Sequence, residues 1–467
     1  MGKTYIQQLF KAYNITVDAG RQQLFEEFMS DERNILAAEQ IITNQRLLMD
    51  TWQFKNRLAD IQQQQVVIPN ATVGKAYTAR FDFAQLKWED FTWSGINGLE
   101  DIGLAYDTAT AEIKGTPVKS GDFKIRLQYR LQGQAEETPL NEKLVSLVIN
   151  PNPRSLWKDL PSDREGAFWK EDNVTAFAPL GDKHLVAASK RGRSHANTGA
   201  YRDDDFAFTH LADSGWSILA VADGAGSAIA SREGSRLACN YIIDYFEKEF
   251  SPALQADFDA LLAEYATTGS DATQKKLTRF VYDILGAAAF TTHKKLDEFA
   301  GGQGMSLKDF HSTLIFVLLK KYVHGYVIMS FGVGDCPIGL VHTGASDITL
   351  MNRLDVGEFG GGTRFITMPE IFKSDTFATR FGFKLVPGFS YLMLMTDGIY
   401  DPKFEVEANL DRLSAWQSLL ADLGGQNDDR IQVTLDAPSE DTARQLAAWM
   451  DFWSPGNHDD RTLMIIC

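Results

Sequence analysis

The stretch WSILAVADG, residues 216–224, decides the fold, because an apolar run of strand length ends at an acidic residue and a glycine. The same pattern of apolar run and acid occurs at three further places: YLMLMTDG (391–398), YVIMSFGVGD (326–335) and DDRTLMIIC (459–467). Short, continuous apolar runs predict buried strands. One carboxylate at a strand end is typical of a turn. Four such places predict a fold that gathers carboxylate oxygens, which are hard ligands for divalent cations.

Length and charge limit the classes of protein to consider. A chain of 467 residues is long for one hydrophobic core and predicts two or three domains. The net charge of −16 argues against a nucleic-acid surface, which needs a basic patch to meet phosphates. It also disfavours binding to anionic membranes, and no apolar run reaches the roughly 20 residues of a membrane span.

The cysteines and the N-terminus predict a cytoplasmic protein. Cys239, Cys336 and Cys467 are odd in number and far apart, so they predict neither a disulfide framework nor a zinc site. The opening residues, MGKTYIQQLFKAYN, lack the apolar core and cleavage site of a signal peptide. A reducing compartment is therefore expected.

Changes in sequence texture divide the chain into four segments. Residues 1–64 predict helix, since apolar residues recur at steps of three and four. This helix is interpreted as packing on the next domain, or alternatively as an arm that binds a partner. Residues 65–150 predict short strands. Residues 151–182 contain three prolines by Pro161 and predict a linker, and residues 183–467 are expected to form the largest domain.

Residues 65–150 predict a small β-sandwich. The stretches YTARFDF (77–83), DFKIRLQY (122–129) and KLVSLVI (143–149) alternate apolar and polar residues, as half-buried strands do. The segment resembles the immunoglobulin-like repeats of bacterial cell-surface proteins. The residues that carry this resemblance are Gly74, Gly103-Leu104, Asp107, Gly115-Thr116-Pro117, Gly121 and Phe123. Ala111 stands where that pattern usually has glycine. The resemblance implies a fold and no catalysis.

From residue 183 onward, strands alternate with a block of helices. Helical stretches are predicted at 231–250, 252–265 and 272–299, and the strands around them end in the aspartates described above. This order predicts an α+β class with two sheets and helices packed outside them.

Seven motifs in this region occur in an order that resembles the metal-dependent protein phosphatases of type 2C, in their bacterial branch. They are GRSHANTGAYRDDDFAF (192–208), VADGAGSAIASREGSRLA (221–238), HSTLIFVLL (311–319), FGVGDCPIGL (331–340), GEFGGGTRFIT (357–367), LMTDGIYD (394–401) and NHDDRTLMII (457–466). The resemblance implies a β-sandwich flanked by helices, with layers in the order α-β-β-α. The helical segment and the immunoglobulin-like sandwich would precede this domain.

The resemblance also implies a function. The expected enzyme is a serine/threonine phosphoprotein phosphatase that hydrolyses phosphomonoesters by attack of a water bridging two Mn²⁺ or Mg²⁺ ions. No nucleophilic serine or cysteine is then needed. A phosphoprotein is the expected substrate, and a cognate serine/threonine kinase is an expected partner. The alternative is a phosphatase-fold binding or scaffold protein with weak or no turnover, which partners a bacterial kinase system.

Carried over by position, the resemblance assigns the site residues. The expected metal ligands are Asp204, Asp205, Asp223, Gly224, Asp397, Asp401 and Asp459. Of these, Asp205, Asp223, Asp397 and Asp459 are expected to be catalytic. Asp223 would bridge both ions, and Asp401 matches the position that serves a third ion in many members. Asp335 is interpreted as fixing a turn beneath the site.

Two departures from the family pattern concern substrate binding and proton transfer. Ala200 occupies the position of an arginine that clamps the substrate phosphate, so Arg202 is the candidate for that role, with a surface or ion-pair arginine as the alternative. Ala225 occupies the position of a histidine that donates a proton in eukaryotic members. His195 and His458 are the candidate donors, with an ordinary structural role as the alternative for each.

Overall fold

The computed structural model describes residues 1–355, 362–454 and 456–467. The chain divides into two compact units, Met1–Leu156 and Trp157–Cys467. No helix among the described residues is both long enough and apolar enough to cross a membrane.

The first unit begins with helices α1 (Gly2–Ala12), α2 (Gln22–Ser30) and α3 (Glu32–Gln63). Near the start of α3, Ala38 packs against Ile6 of α1. At its C-terminal end, Ile61 is fully buried in the core of the strands that follow. Between these contacts Leu48 and Trp52 are exposed. The end of α3 therefore docks on the strands, and a partner-binding role of its middle part stays a prediction.

Seven strands complete the first unit: β1 (Ala71–Thr72), β2 (Tyr77–Arg80), β3 (Phe91–Asn97), β4 (Leu104–Asp107), β5 (Glu112–Gly115), β6 (Gly121–Leu131) and β7 (Asn141–Asn150). They form a four-stranded sheet in the order β1-β7-β6-β3 and a three-stranded sheet in the order β2-β5-β4. Both sheets contribute to one core. Ala111 has φ of 56°, the left-handed conformation that glycine adopts most easily. The immunoglobulin-like identity of this unit stays a prediction.

The second unit contains two antiparallel sheets. Its strands are β8 (Asn173–Leu180), β9 (Lys183–Lys190), β10 (Asp205–Leu211), β11 (Trp216–Ala222), β12 (Leu314–Tyr322), β13 (Gly325–Val333), β14 (Ile338–His342), β15 (Ile348–Leu350), β16 (Phe381–Val386), β17 (Phe389–Met395) and β18 (Arg461–Ile466). The five-stranded sheet has the order β10-β11-β12-β13-β16, and the six-stranded sheet has the order β15-β14-β17-β18-β9-β8.

Helices cover the outer face of each sheet. They are α4 (Arg193–Thr198), α5 (Ser231–Glu249), α6 (Pro252–Thr268), α7 (Asp271–Gly302), α8 (Asp397–Phe404), α9 (Leu413–Leu423) and α10 (Glu440–Trp449). Alternation along β11 shows the layering, because Leu219 packs between the two sheets while Ile218 packs under α5, α6 and α7. A third cluster joins α8, α9 and α10 to the six-stranded sheet. The predicted α+β fold with α-β-β-α layers is confirmed.

The strand register carries the acidic residues to one end of the sandwich. Asp205, which begins β10, lies opposite Ala222, which ends β11. In the other sheet Met395, which ends β17, lies opposite Leu463 near the start of β18. Antiparallel pairing therefore places the end of one strand beside the start of its neighbour, and the loops of both sheets meet there.

The segment 151–182 differs from the expected linker. Residues from Trp157 onward lie within the second compact unit, and β8 pairs along its whole length with β9. Lys170 is buried in the same unit. The prolines behind that interpretation, Pro151, Pro153 and Pro161, all precede β8, and Pro179 lies in an edge strand, where a missing backbone donor is tolerated.

Candidate metal centre

Two glycines allow the acidic loops to approach one another. A Cβ atom on Gly224 would lie 2.7 Å from the carbonyl oxygen of Asp203, and one on Gly398 would overlap the carbonyl oxygen of Asp460. Neither glycine has a positive φ angle. The glycine of each Asp-Gly pair therefore serves close packing between distant motifs, and turn geometry does not require it.

Both backbone polar groups of Asp223 form hydrogen bonds with Ser312 and Thr313, the two residues that precede β12. Its N–H donates to the Thr313 hydroxyl at 2.8 Å, and its carbonyl accepts from the Thr313 N–H at 2.8 Å. The Ser312 hydroxyl donates to the same carbonyl at 3.0 Å. Backbone bonds at both groups fix the direction in which the carboxylate leaves the end of β11.

The Asp223 carboxylate lies among other acids. Burial raises its pKa well above the ordinary range, and neighbouring negative charges raise it further. Those charges, in falling order of effect, belong to Asp397, Asp204, Asp459 and Asp335. Burial, followed by the charge of Asp459, also raises the pKa of Asp397. The structure thus brings together the ends of β11, β13 and β17 and the residues that precede β10 and β18.

Asp204 and Asp205, both in the motif at 192–208, lie in different environments. Asp204 is 1% exposed and accepts hydrogen bonds from the hydroxyls of Thr396 (2.7 Å) and Thr462 (2.8 Å). Burial, followed by the charge of Asp460, raises its pKa to about 7. Asp204 is therefore the acid of this motif that belongs to the cluster.

Asp205 is neutralised from behind the cluster. Its carboxylate lies 3.0 Å from the ammonium of Lys170 and 3.6 Å from the guanidinium of Arg202. Burial alone would raise its pKa, but these two cations lower it. The structure does not test its expected catalytic role, but its charge is already balanced.

Asp335 also belongs to the cluster. One of its carboxylate oxygens lies within 4.8 Å of ligand atoms of Asp223 and Cys336. The Thr363 hydroxyl donates to Oδ2 at 2.7 Å, while the buried Oδ1 has no hydrogen-bond partner among the described residues. Thr363 belongs to the motif at 357–367, of which residues 357–361 lie outside the described residues.

The other two expected ligands lie towards the surface. Asp401 follows Asp397 by one turn of α8, is exposed, and accepts a hydrogen bond from the Asn457 side chain at 3.4 Å. Asp459 is also exposed, although packing around it raises its pKa. Asp204 thus forms the floor of the centre, and these two residues form its rim.

The donor set fits Mn²⁺ or Mg²⁺. Apart from the buried Cys336 thiol, whose pKa burial raises, the converging side chains are carboxylates, which suit hard divalent cations. No Lys or Arg forms an ion pair with Asp223, Asp397 or Asp459 within the part of the chain that is described. The pKa values of Asp223, Asp397 and Asp335 are raised, and one Asp335 oxygen has no hydrogen-bond partner among the described residues. Both features are expected where buried carboxylates have no positive charge beside them.

Asp460 faces a second, adjoining cluster. Its carboxylate accepts from the backbone N–H groups of Gly192 and Asp203 and lies 3.0 Å from Nδ1 of His195. Burial alone would lower the pKa of His195, but the hydrogen bond and charge of Asp460 raise it to about 9. Nε2 of His195 lies 3.9 Å from the Asp203 carboxylate. This pair ties the first motif to the last.

Arg202, the candidate for contact with the substrate phosphate, and His458, a candidate proton donor, both pack against other residues of the protein. Arg202 is 1% exposed, and its guanidinium donates to Glu171, Ser189 and Asp204 in the interior. That position speaks against contact with a substrate phosphate. His458 lies between the rings of Trp157 and Trp453, at 4.6 and 4.7 Å, and burial lowers its pKa.

Sequence reasoning missed several residues that support the centre. Thr396 and Thr462 lie inside recognised motifs, so a hydroxyl beside an acidic motif was an available signal. Lys170 lies outside every motif, so the sequence contained no signal for its role. Arg364 follows Thr363, whose hydroxyl contacts Asp335, and the Arg364 residue is exposed.

One protein family and several solved structures are similar to this chain. A sequence model of the family described as Protein phosphatase 2C matches residues 191–450. Among solved structures, the serine/threonine phosphatase Stp1 from Staphylococcus aureus is similar at 14% identity and a TM-score of 0.33, covering 64% of this chain and 98% of that one. The catalytic domain of PstP in complex with two manganese ions is similar at 15% identity and a TM-score of 0.35, covering 63% and 98%. No curated protein sequence matches the chain.

Proposed function

Because the chain belongs to the protein phosphatase 2C family, we propose that it removes phosphate from serine and threonine side chains of proteins. The observation that carries the proposal is the group of aspartates whose charges act on one another at one end of the sandwich. The family uses Mn²⁺ or Mg²⁺, and a cluster of carboxylates suits these ions.

In the proposed site, Asp223, the Gly224 carbonyl, Asp397 and Asp459 would hold the two ions, with Asp223 shared between them. Asp401 is the proposed ligand of a third ion. When bound, the ions supply Lewis acidity, which activates water for attack on phosphorus and balances the charge of the phosphate oxygens.

The side chains around the ligands have distinct tasks. The hydroxyls of Thr396 and Thr462 hold Asp204 in one orientation, so it is the first-motif acid proposed to act in the centre. Lys170 balances Asp205, which is proposed to position the loop. His195 carries a proton at Nδ1 towards Asp460, and its Nε2 is the proposed donor to the departing alkoxide.

Hydrolysis of p-nitrophenyl phosphate with and without Mn²⁺ tests the proposal. Asp223→Asn is expected to lower the manganese-dependent rate by about 10²- to 10³-fold, since several kcal/mol of transition-state stabilisation are lost. Asp213→Asn, an exposed residue between β10 and β11, is the matched control and is expected to keep full activity. Absence of turnover by the unmodified protein with both Mn²⁺ and Mg²⁺ would contradict the proposal.

A binding or scaffold role is the second candidate. The buried position of Arg202 favours it, because the expected phosphate-clamping cation is missing from that place. Calorimetric titration separates the two functions. Tight Mn²⁺ binding together with no hydrolysis of any phosphopeptide would support the scaffold and reject the enzyme.

Substrate, partner and location belong to the same proposal. The substrate is a phosphoprotein, and a serine/threonine kinase that modifies it is the proposed partner. The three cysteines are free, as expected in a reducing cytoplasm. Co-purification of a kinase with the Asp223→Asn variant tests the partner.

A further inference from the structure

A groove of about 1200 Å³ opens beside the second unit's five-stranded sheet, between α7 and β16. Its lining includes Lys275 and Tyr282 from α7 and Phe383 and Lys384 from β16. None of these residues takes part in the metal centre, so the groove is free for another task.

One wall of the groove is a sheet edge. β16 ends the five-stranded sheet, and its residues Phe381–Val386 pair with β13 on one side only. Among the described residues, no backbone group of β16 bonds to any segment other than β13. An edge strand directs alternate N–H and C=O groups outward, where they can pair with an added strand.

The groove lining contains three cations and one acid, Asp271, so its charge is opposite in sign to that of the chain. Lys275 and Lys384 are both exposed, and neither forms an ion pair within the described ranges. Arg279 adds a third cation, paired with Asp283 at 2.8 Å. On a protein of net charge −16, two unpaired lysines beside an open edge favour an acidic ligand.

The groove leads towards the metal centre. Phe381, at its near end, lies opposite Phe331, which precedes Asp335 by four residues, or about 13 Å of extended chain. Arg380 pairs with Asp355, and the Asp355 carboxylate accepts from the N–H of Gly334 at 2.9 Å. The near end of the groove is thus bonded to the loop that carries Asp335.

We propose that this groove docks an acidic, extended segment of the phosphoprotein substrate, which adds to β16 as a further strand. Acidic side chains of the segment meet Lys275 and Lys384, while apolar side chains contact Tyr282 and Phe383. The inference rests on the proposed phosphatase function, and it places the docking segment several residues away from the phosphorylated residue.

A binding measurement without catalysis tests the groove directly. The probe is a fluorescein-labelled 12-residue peptide of alternating Glu and Val, titrated with the full-length protein in EDTA and followed by fluorescence anisotropy. Lys275→Glu/Lys384→Glu is expected to weaken binding at least fivefold, whereas Lys294→Glu, an exposed lysine further along α7, leaves it unchanged. Peptides N-methylated at alternate residues are expected to lose binding in one register and keep it in the other.

A kinetic measurement connects the groove to the substrate. A phosphothreonine peptide that carries the acidic segment is expected to lose at least fivefold in kcat/KM, mainly through KM, in the double variant. Hydrolysis of p-nitrophenyl phosphate stays unchanged in that variant.

The docking proposal fails if the unmodified protein does not bind the labelled peptide, or if Lys294→Glu weakens binding as much as the double variant. Lack of p-nitrophenyl phosphate turnover by the unmodified protein would instead reject the phosphatase function and leave the anisotropy result to stand by itself.

Discussion

The Thr462 hydroxyl donates a hydrogen bond of 2.8 Å to the Asp204 carboxylate, although 258 residues separate the two along the chain. Thr396 donates to the same oxygen at 2.7 Å, and the Thr462 N–H bonds to the Thr396 hydroxyl at 3.0 Å. This triangle joins β18, the start of α8 and the start of β10. A carboxylate held by two hydroxyls keeps its direction before any cation arrives, which is the preorganisation that a catalytic centre needs.

The segment before β8 is expected to be part of the catalytic unit. Lys170 donates to the Asp204 carbonyl (2.7 Å), the Asp205 carboxylate (3.0 Å) and the Arg232 carbonyl (3.0 Å). A protein that starts at Trp157 should therefore fold and hydrolyse p-nitrophenyl phosphate, while one that starts at Lys183 lacks both β8 and Lys170 and should not fold. Circular dichroism melting and activity assays of the two truncated proteins check this.

The buried ion pair between Lys170 and Asp205 allows the contribution of this segment to stability to be tested with single substitutions. Lys170→Met leaves the Asp205 charge buried without its main partner, which is expected to cost about 3–5 kcal/mol of unfolding free energy. Adding Asp205→Asn should recover part of that loss, as measured by urea unfolding. If Asp205→Asn changed the unfolding free energy by the same amount in the unmodified protein and in Lys170→Met, the pair would not be coupled.

Removing charge from the metal centre is expected to stabilise the protein without cations. Burial and neighbouring charges raise the pKa of Asp223, so the folded state binds more protons than the unfolded state above pH 4. Stability from this group therefore falls as pH rises through its folded pKa. In EDTA at pH 7.5, Asp223→Asn should melt a few °C higher than the unmodified protein, at about 2–4 °C per kcal/mol.

Manganese should reverse that order. Added Mn²⁺ binds the folded unmodified protein and raises its melting temperature, whereas the variant gains little. Differential scanning calorimetry at pH 5.0 and 7.5 measures both effects, with Asp213→Asn as the control. A variant less stable than the unmodified protein in EDTA at pH 7.5 would show that the acids do not repel one another.

The His195–Asp460 pair predicts a pH dependence of stability. The folded pKa of His195 is raised to about 9, so the stability it contributes is complete below about pH 6.5 and is lost as pH rises through 9. Asp460→Asn keeps the shape and removes the charge, so the pKa of His195 should fall by more than one unit. NMR titration of the imidazole ring protons reports this pKa.

A matched variant separates this pair from a general charge effect. Asp451→Asn removes an exposed carboxylate that pairs with Lys190 at 2.6 Å, and it should leave the His195 titration unchanged. The stability difference between Asp460→Asn and the unmodified protein should be largest near pH 6 and shrink above pH 9. A constant difference across that range would rule out the ion pair as its cause.

Arg364 is expected to replace Arg202 as the cation that meets the substrate phosphate. Arg364→Ala should raise KM for a phosphothreonine peptide about tenfold, the loss of one charge-assisted hydrogen bond of roughly 1.5 kcal/mol. Arg353→Ala, another exposed arginine, is the control and should leave KM unchanged. Arg202→Met should instead lower the melting temperature, since its donors are satisfied in the interior. Steady-state kinetics that find KM unchanged in Arg364→Ala would remove this residue from the site.

The apolar pattern of the sequence predicted the elements of the second unit closely. The run at 216–222 is β11, and the helix expected at 231–250 is α5, because these segments are buried on faces that periodicity reveals. β8 was missed because it is an edge strand with a proline and only partial burial, so its pattern resembles a loop. The Asp-Gly pairs resembled turns, and only the packed loops show which carbonyl oxygens exclude a Cβ atom.

By itself the sequence determined that acids stand where apolar strands end, since that information is local and the strands are continuous. The tertiary structure decided what each of the consecutive residues Asp203, Asp204 and Asp205 does. Neighbours in an extended segment point to opposite sides, so Asp204 meets the hydroxyls of Thr396 and Thr462, whereas Asp205 meets a lysine from the segment before β8. Partners that lie 35 to 258 residues away leave no trace in the spacing of the motif, because only packing brings them to it.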